Sequence, residues 1–180
     1  WFEFEKLAIY DRSWLCVGRA DLLKKPGDYY TITINDEPLI VVKGDDGEIR
    51  VLSSVCQHRG HLLAEGQGCA KTGLFRCPLH YWSYDLQGRL KHAPEMQKTN
   101  DFHPSEIRLP QLKVELWQGF VFAHFDWDAT PLAPTLAKLE AEMKQYDVEN
   151  MVSLPTMDVT DYPWNWKVMI ENFMEPYHNA

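Results

Sequence analysis

The sequence runs to 180 residues with 45% hydrophobic and 24% charged content, an ordinary globular composition with room for one full hydrophobic core and part of a second. Its net charge of −8 excludes nucleic acid as a main partner, and no apolar run approaches the roughly 18 residues that a membrane span needs. Four cysteines are too few for a disulfide scaffold, so their spacing points to metal and to a reducing, cytoplasmic setting.

The opening WFEFEKLAIYDR places Phe2, Leu7, Ile9 and Tyr10 at approximate helical spacing, ending near Arg12 and Ser13. Acids among those apolar residues are unlike a secretory signal peptide, and without an initiator Met the chain is expected to be a fragment at this end. SWLCVGRA reads as a short strand, with Cys16 expected in the core. After Pro26-Gly27 the period changes to two, and YYTITIN and PLIVVK are strand-like. GDDGE at 44–48 is turn chemistry joining PLIVVK to IRVLSS, and Gln118-Gly119 joins KVELW to GFVFAHF in a second hairpin. Residues 26–127 are therefore expected to form a small antiparallel β domain behind an amino-terminal helix and strand over 1–25.

Beyond Trp127 the character changes. Residues 128–149 are expected to be a helical connector, with a helix from Thr135 to about Tyr146 and Thr135 as its N-cap. Residues 150–180 open another unit, with one strand within MVSLPTMDVTDYPWNWK and helical spacing from Trp164 to His178. The expected fold class is mainly β with flanking helices (α+β).

The sharpest signal is CQHRG at 56–60 with CPLHYW at 77–82, that is Cys56-x-His58, an eighteen-residue gap, then Cys77-x-x-His80. Two thiolates and two imidazoles suit either a tetrahedral zinc ion or a [2Fe–2S] cluster with both cysteines on one iron and both histidines on the other. Zinc fingers usually gather cysteines in one motif and histidines in another. Here each motif supplies one of each, which favours the cluster. Gly60 permits a tight backbone approach, Pro78 stiffens the second loop, and Tyr81-Trp82 are expected to form an apolar lid against solvent. Cys69 is expected to be a free thiol, His61 an ordinary loop residue, and His92, His103 and His124 structural or surface residues.

C-x-H-R-G followed by C-P-x-H-x-W resembles the Rieske domain of ring-hydroxylating and related Rieske non-heme iron oxygenases, in their large (alpha) subunit. FEFEKLAIYDRSWLCVGR is similar to the amino-terminal helix and strand of those subunits. PGDYYTITINDEPLIVVKGDDGEIRVLSSVCQHRG and HYWSYDLQGRLKHAP are similar to the segments before the first cluster loop and after the second. The gap between the motifs is at or slightly above the family's usual length, consistent with a one-residue loop insertion. The resemblance implies Cys56, His58, Cys77 and His80 as cluster ligands, with Arg59 and Trp82 in the cluster's surroundings. The additional cysteines that form a disulfide in respiratory-type Rieske proteins are absent, which implies a potential at the negative end of roughly −150 to +300 mV.

The closing ENFMEPYHNA puts Glu171, Glu175 and His178 on one helical face, with Pro176 breaking the local rule beside them. NWKVMIENFMEPYH resembles the start of the family's mononuclear iron site. By that match His178 is one ligand of a 2-His-1-carboxylate Fe(II) centre. Glu175 corresponds to the acid bridging electrons from a neighbouring subunit's cluster, and Asn172 lies beside the iron without ligating it. The bridge is usually Asp, and Glu reaches one methylene further. The other ligands are expected past residue 180, so the chain is expected to be an inactive amino-terminal fragment whose α+β catalytic domain is truncated.

The family implies electrons from NAD(P)H through a reductase, with or without a ferredoxin, to O2 and a small organic substrate, aromatic or N-methyl/quaternary amine. It also implies a homotrimer with or without a small subunit. Reduction is expected to favour protonation of His58 and His80, giving a potential that depends on pH above neutrality. The rival readings are a stand-alone Rieske ferredoxin, which leaves NWKVMIENFMEPYH without a purpose, and a zinc-binding module.

Overall fold

The computed structural model describes residues 1–96, 98–154, 163–175 and 177. A short helix α1 (Phe2–Ala8) and a 3-10 turn (Tyr10–Arg12) lead into β1 (Leu15–Arg19), β2 (Asp28–Ile34), β3 (Glu37–Lys43) and β4 (Ile49–Ser53). Short strands follow: β5 (Gln67–Cys69), β6 (Leu74–Arg76), β7 (Ser83–Asp85) and β8 (Leu90–His92). Then come β9 (Gln111–Trp117), β10 (Phe120–His124), α2 (Ala137–Met143) and α3 (Trp166–Met174).

All pairings are antiparallel. One sheet has seven strands in the order β1-β10-β9-β4-β3-β2-β5, and a second has three in the order β6-β7-β8. β2 and β3 turn at Asn35-Asp36, and β9 and β10 at Gln118-Gly119, all four residues at positive φ as a two-residue hairpin of matching twist requires. β1 pairs with β10, so the large sheet takes its edge strand from the segment ahead of residue 26.

The continuous apolar run Leu39–Val42 in β3 has a simple cause: this strand is covered on both faces. Leu39 and Val41 face one core with Val17, Leu23, Val51, Leu112, Val121 and Ala123. Ile40 and Val42 face the other, with Leu52, Phe75, Trp82, Tyr84, Leu86 and Leu90. The small sheet thus packs its inner residues Phe75, Tyr84 and Leu90 on the large one, and the two candidate cluster motifs emerge from that second core.

Three expectations are corrected. Cys16 is exposed, because β1 is an edge strand that turns Val17 inward and carries a register irregularity between Cys16 and Gly18. Thr135 is not an N-cap: a 3-10 turn (Ala133–Leu136) begins before it at Ala133, and its hydroxyl donates back to the Leu132 carbonyl at 2.6 Å. The helix from Trp164 to His178 is shorter than expected. α3 is capped by the Asn165 side chain, which accepts from the Lys167 N–H at 3.0 Å, and ends at Met174 with Glu175 extended. The proline that follows disfavours helical geometry at Glu175, so Glu171 and Glu175 do not share a helical face. The strand expected within 151–167 falls partly outside the described residues, as does His178.

α3 is held to the amino-terminal segment. Glu5, buried on α1, accepts hydrogen bonds from the Lys167 ammonium and, at 3.4 Å, from the Trp166 indole. The Tyr10 ring meets the Trp166 ring edge to face at 5.8 Å. Among the described residues no helix is long and apolar enough to cross a membrane.

Candidate metal centre

Two loops carry the Cys/His motifs, one leaving β4 and one joining β6 to β7. Their backbones close with the same pair of hydrogen bonds. In the first, Cys56 N–H donates to the His61 carbonyl at 2.9 Å and Gly60 N–H to the Cys56 carbonyl at 3.0 Å. In the second, Cys77 N–H donates to the Trp82 carbonyl at 2.8 Å and Tyr81 N–H to the Cys77 carbonyl at 3.0 Å. Gly60 and Tyr81 occupy equivalent left-handed positions, φ 74° and 62°. Glycine takes that geometry freely, whereas Tyr81 adopts it at a cost of about 1–2 kcal/mol that the surrounding hydrogen bonds offset.

This shared lock buries both thiols and brings both imidazoles together. Cys56 and Cys77 are each 2% exposed. The His58 and His80 rings lie 4.6 Å apart at an interplanar angle of 77°. The Trp82 ring, buried, stacks on His58 at 4.8 Å and 11°, and Phe102 meets Trp82 edge-on at 5.6 Å. Tyr81 corrects the expected lid: it is half-exposed, turned outward by its left-handed backbone, with the Arg76 guanidinium 4.3 Å above its ring. Arg59 is exposed at the tip of the first loop.

Tyr84 is the residue that sequence reasoning missed. It is fully buried, and its hydroxyl accepts the Gln57 N–H at 3.0 Å and lies 3.5 Å from the Cys56 sulfur. Burial pushes its phenol well above the usual range, with the Cys56 contact adding to the effect, so it keeps the proton it would donate to that sulfur. The available signal was weak: alternation along SYD places Tyr84 inward, two residues beyond Trp82. His58 is held below the usual imidazole range, first by burial and then by the positive charges of His80 and Arg59. That direction favours the neutral imidazole that metal ligation requires.

The donor set can be tested against the two candidate centres. Nδ1 of His58 is buried without a hydrogen-bond partner, the situation of an imidazole nitrogen whose partner would be a metal. Among the described residues no three His, Cys, Asp or Glu side chains are placed to hold one ion, so the four do not form a single-ion tetrahedron. Two sulfurs and two imidazoles in separate pairs fit a two-iron group. All four cysteines are unbonded, and Cys69 is partly buried. His61, His92 and His103 are exposed, whereas His124 is buried, accepts the Asp126 N–H at 2.9 Å and packs against Trp14. Asn172 and Glu175 lie on and just past α3, whose Trp166 and Lys167 meet Glu5 and Tyr10 of the amino-terminal segment.

Residues 13–112 match the family model described as the Rieske [2Fe-2S] domain. Over 98% of its length the chain is 36% identical to the carnitine monooxygenase oxygenase subunit of Acinetobacter pittii, covering 48% of that protein. Over 98% of its length it is 33% identical to the glycine betaine monooxygenase oxygenase subunit of Chromohalobacter salexigens, covering 39%. A solved quaternary ammonium Rieske monooxygenase, studied for carnitine oxidation and inter-subunit electron transfer, superposes with a TM-score of 0.91 at 37% identity, over 98% of this chain and 48% of that one. The chain thus spans about half the length of the curated carnitine monooxygenase subunits it matches.

Proposed function

The chain belongs to the Rieske [2Fe–2S] domain family, and from that membership we propose that it is the electron-receiving part of an oxygenase alpha subunit that oxidises a quaternary ammonium compound. The observation that carries this reading is the doubled loop lock, with two buried cysteines and two facing histidines. Support for the substrate class comes from the carnitine and glycine betaine monooxygenase subunits, similar over nearly the whole chain.

Cys56 and Cys77 would hold one iron of the group, and His58 and His80 the other. When bound, the group supplies storage of one electron at a time. The residues around it do the rest. Trp82 stacks on the His58 ring and shields that face from water. The Tyr84 hydroxyl donates to the Cys56 sulfur and fixes the loop through Gln57 N–H. Exposed His80 presents its ring to whatever docks on the loops.

Glu175, as a carboxylate at the end of α3, would accept hydrogen bonds from a cluster histidine of a neighbouring subunit and from His178. His178 is the proposed ligand of a mononuclear Fe(II), with Asn172 beside it. This assignment implies an assembly of several chains, proposed as a trimer. NAD(P)H would reach the cluster through a reductase.

The test is to express the full-length protein with its reductase, supply NAD(P)H, and follow oxidation of carnitine and glycine betaine with and without O2. The expected result is O2-dependent consumption of one of them. A chain whose cluster is reduced while neither these nor aromatic substrates are consumed would be an electron carrier only, and the oxygenase reading would fall.

A further inference from the structure

The charge on this chain is divided unevenly. Residues 54–110 carry seven Lys and Arg against five Asp and Glu, whereas the other residues carry eleven against twenty-one. The segment that bears the candidate cluster motifs is therefore the basic part of an acidic protein. No ion pair among the described residues engages Arg76, Arg89, Lys91 or Arg108, while Lys6, Arg19, Arg50 and Lys167 are paired elsewhere. Arg89 and Lys91 flank the buried Leu90 and are both exposed, and a backbone bridge sets Arg108 beside Arg89.

Two of these cations, Lys91 and Arg76, line two adjoining grooves. One, of about 530 Å³, has Lys91 and His92 on its rim and Met96 and Phe102 among its apolar walls. The other, of about 290 Å³, contains Arg76 and Tyr81 and shares His92 and Pro94 with the first. Among the described residues that line them, neither groove has an acid. Phe102 connects the larger groove to the metal centre, since its ring touches Trp82 and Trp82 stacks on His58. A centre that receives and then passes an electron benefits from two separate approaches. Exposed His80 offers one, and the His58–Trp82–Phe102 row ends at the other.

We propose that this apolar-walled face, centred on Lys91, His92 and Phe102, with Arg76 in the adjoining groove and the bridged pair Arg89 and Arg108 next along the chain from Lys91, is where an acidic one-electron carrier protein of the iron–sulfur class docks to reduce the cluster. The proposal rests on the cluster assignment made above. One electron leaves the reduced carrier, which is oxidised, and enters the [2Fe–2S] group, which is reduced by one; no bond is made or broken. Complementary charge steers the encounter and makes it salt-dependent, while the apolar wall supplies contact once the carrier has arrived.

The experiment uses the full-length, cluster-loaded protein and an acidic plant-type [2Fe–2S] ferredoxin as probe. Calorimetry gives the dissociation constant at low and high salt, and stopped-flow absorption gives the rate of reduction by the reduced ferredoxin. The Arg89→Glu/Lys91→Glu double variant is expected to weaken binding and slow reduction about tenfold or more at low salt, and to flatten the salt dependence. Its visible spectrum should be unchanged, and Lys138→Glu on α2, which changes net charge elsewhere, should behave as the unsubstituted protein. Lys91→Gln alone gives the same direction of change should the double variant fold poorly.

Unchanged affinity in the double variant, or an equal loss in Lys138→Glu, overturns the proposal. So does a change in self-association seen by sedimentation with ferredoxin binding intact, which would make this face an interface between copies. An unsubstituted protein without a cluster spectrum would overturn the metal assignment as well, so the two failures are distinguishable.

Discussion

Replacing Tyr84 by Phe removes one oxygen from a fully buried position while leaving the ring that fills it. Two interactions go with it: the Gln57 N–H loses its acceptor at 3.0 Å, and the Cys56 sulfur loses a donor at 3.5 Å. An abandoned backbone N–H costs about 1–3 kcal/mol when water cannot reach it, and the exposed side of Gln57 places this case near the lower end. The sulfur contact acts on the redox equilibrium. A hydrogen bond to a thiolate ligand stabilises the more negative, reduced state, so its removal lowers the potential. If the bond is worth about 1 kcal/mol more in the reduced state, the shift is roughly 40 mV, because tenfold corresponds to about 59 mV for one electron. Potentiometric titration followed by visible absorption reads the shift, and urea unfolding reads the stability. A potential unchanged within about 10 mV, or one that rises, refutes the role given to Tyr84.

Gly60→Ala meets no atom within 4 Å, so only its left-handed backbone is penalised. The expected loss is about 1 kcal/mol in urea unfolding, and a loss several times larger would mean that the loop lock is misread. Glu5 is held below the ordinary glutamate range, chiefly by the hydrogen bond from Lys167. A depressed folded value gives a contribution present above the ordinary range and lost as pH falls through the folded value. α3 should therefore loosen from the amino-terminal helix on acidification through and below the ordinary glutamate range, seen as a change in tryptophan fluorescence that Glu5→Gln abolishes. In the full-length protein, Glu175→Gln is expected to slow single-turnover electron transfer while both metals remain bound; an unchanged rate would count against the bridge.

What was legible in the sequence was chemistry carried by local pattern. The run Leu39–Val42 announced a strand, Gln118-Gly119 a hairpin, and the two Cys/His motifs their loops, because each depends on residues adjacent in the chain. Strands β5 to β8 were not legible, since three residues are too few for a period of two to register. Tyr84 was hidden for another reason: its importance comes from a hydroxyl meeting a sulfur twenty-eight positions earlier, a contact that exists only once the small sheet packs on the large one. Cys16 was misread because an apolar run does not say which face of an edge strand is covered. The end of α3 could be read from the proline after Glu175, whose effect on the geometry of Glu175 outweighs the spacing that put Glu171 and Glu175 on one helical face.

Two buried thiols and two facing imidazoles are the proposed ligands of a two-iron group. Iron, acid-labile sulfide and zinc analysis of the anaerobically purified protein, beside Cys56→Ser and Cys77→Ser, tests this assignment most directly. The predicted result is labile sulfide with at least an equal amount of iron and without zinc, the sulfide and its matching iron lost together in either variant. One zinc per chain without labile sulfide would contradict it.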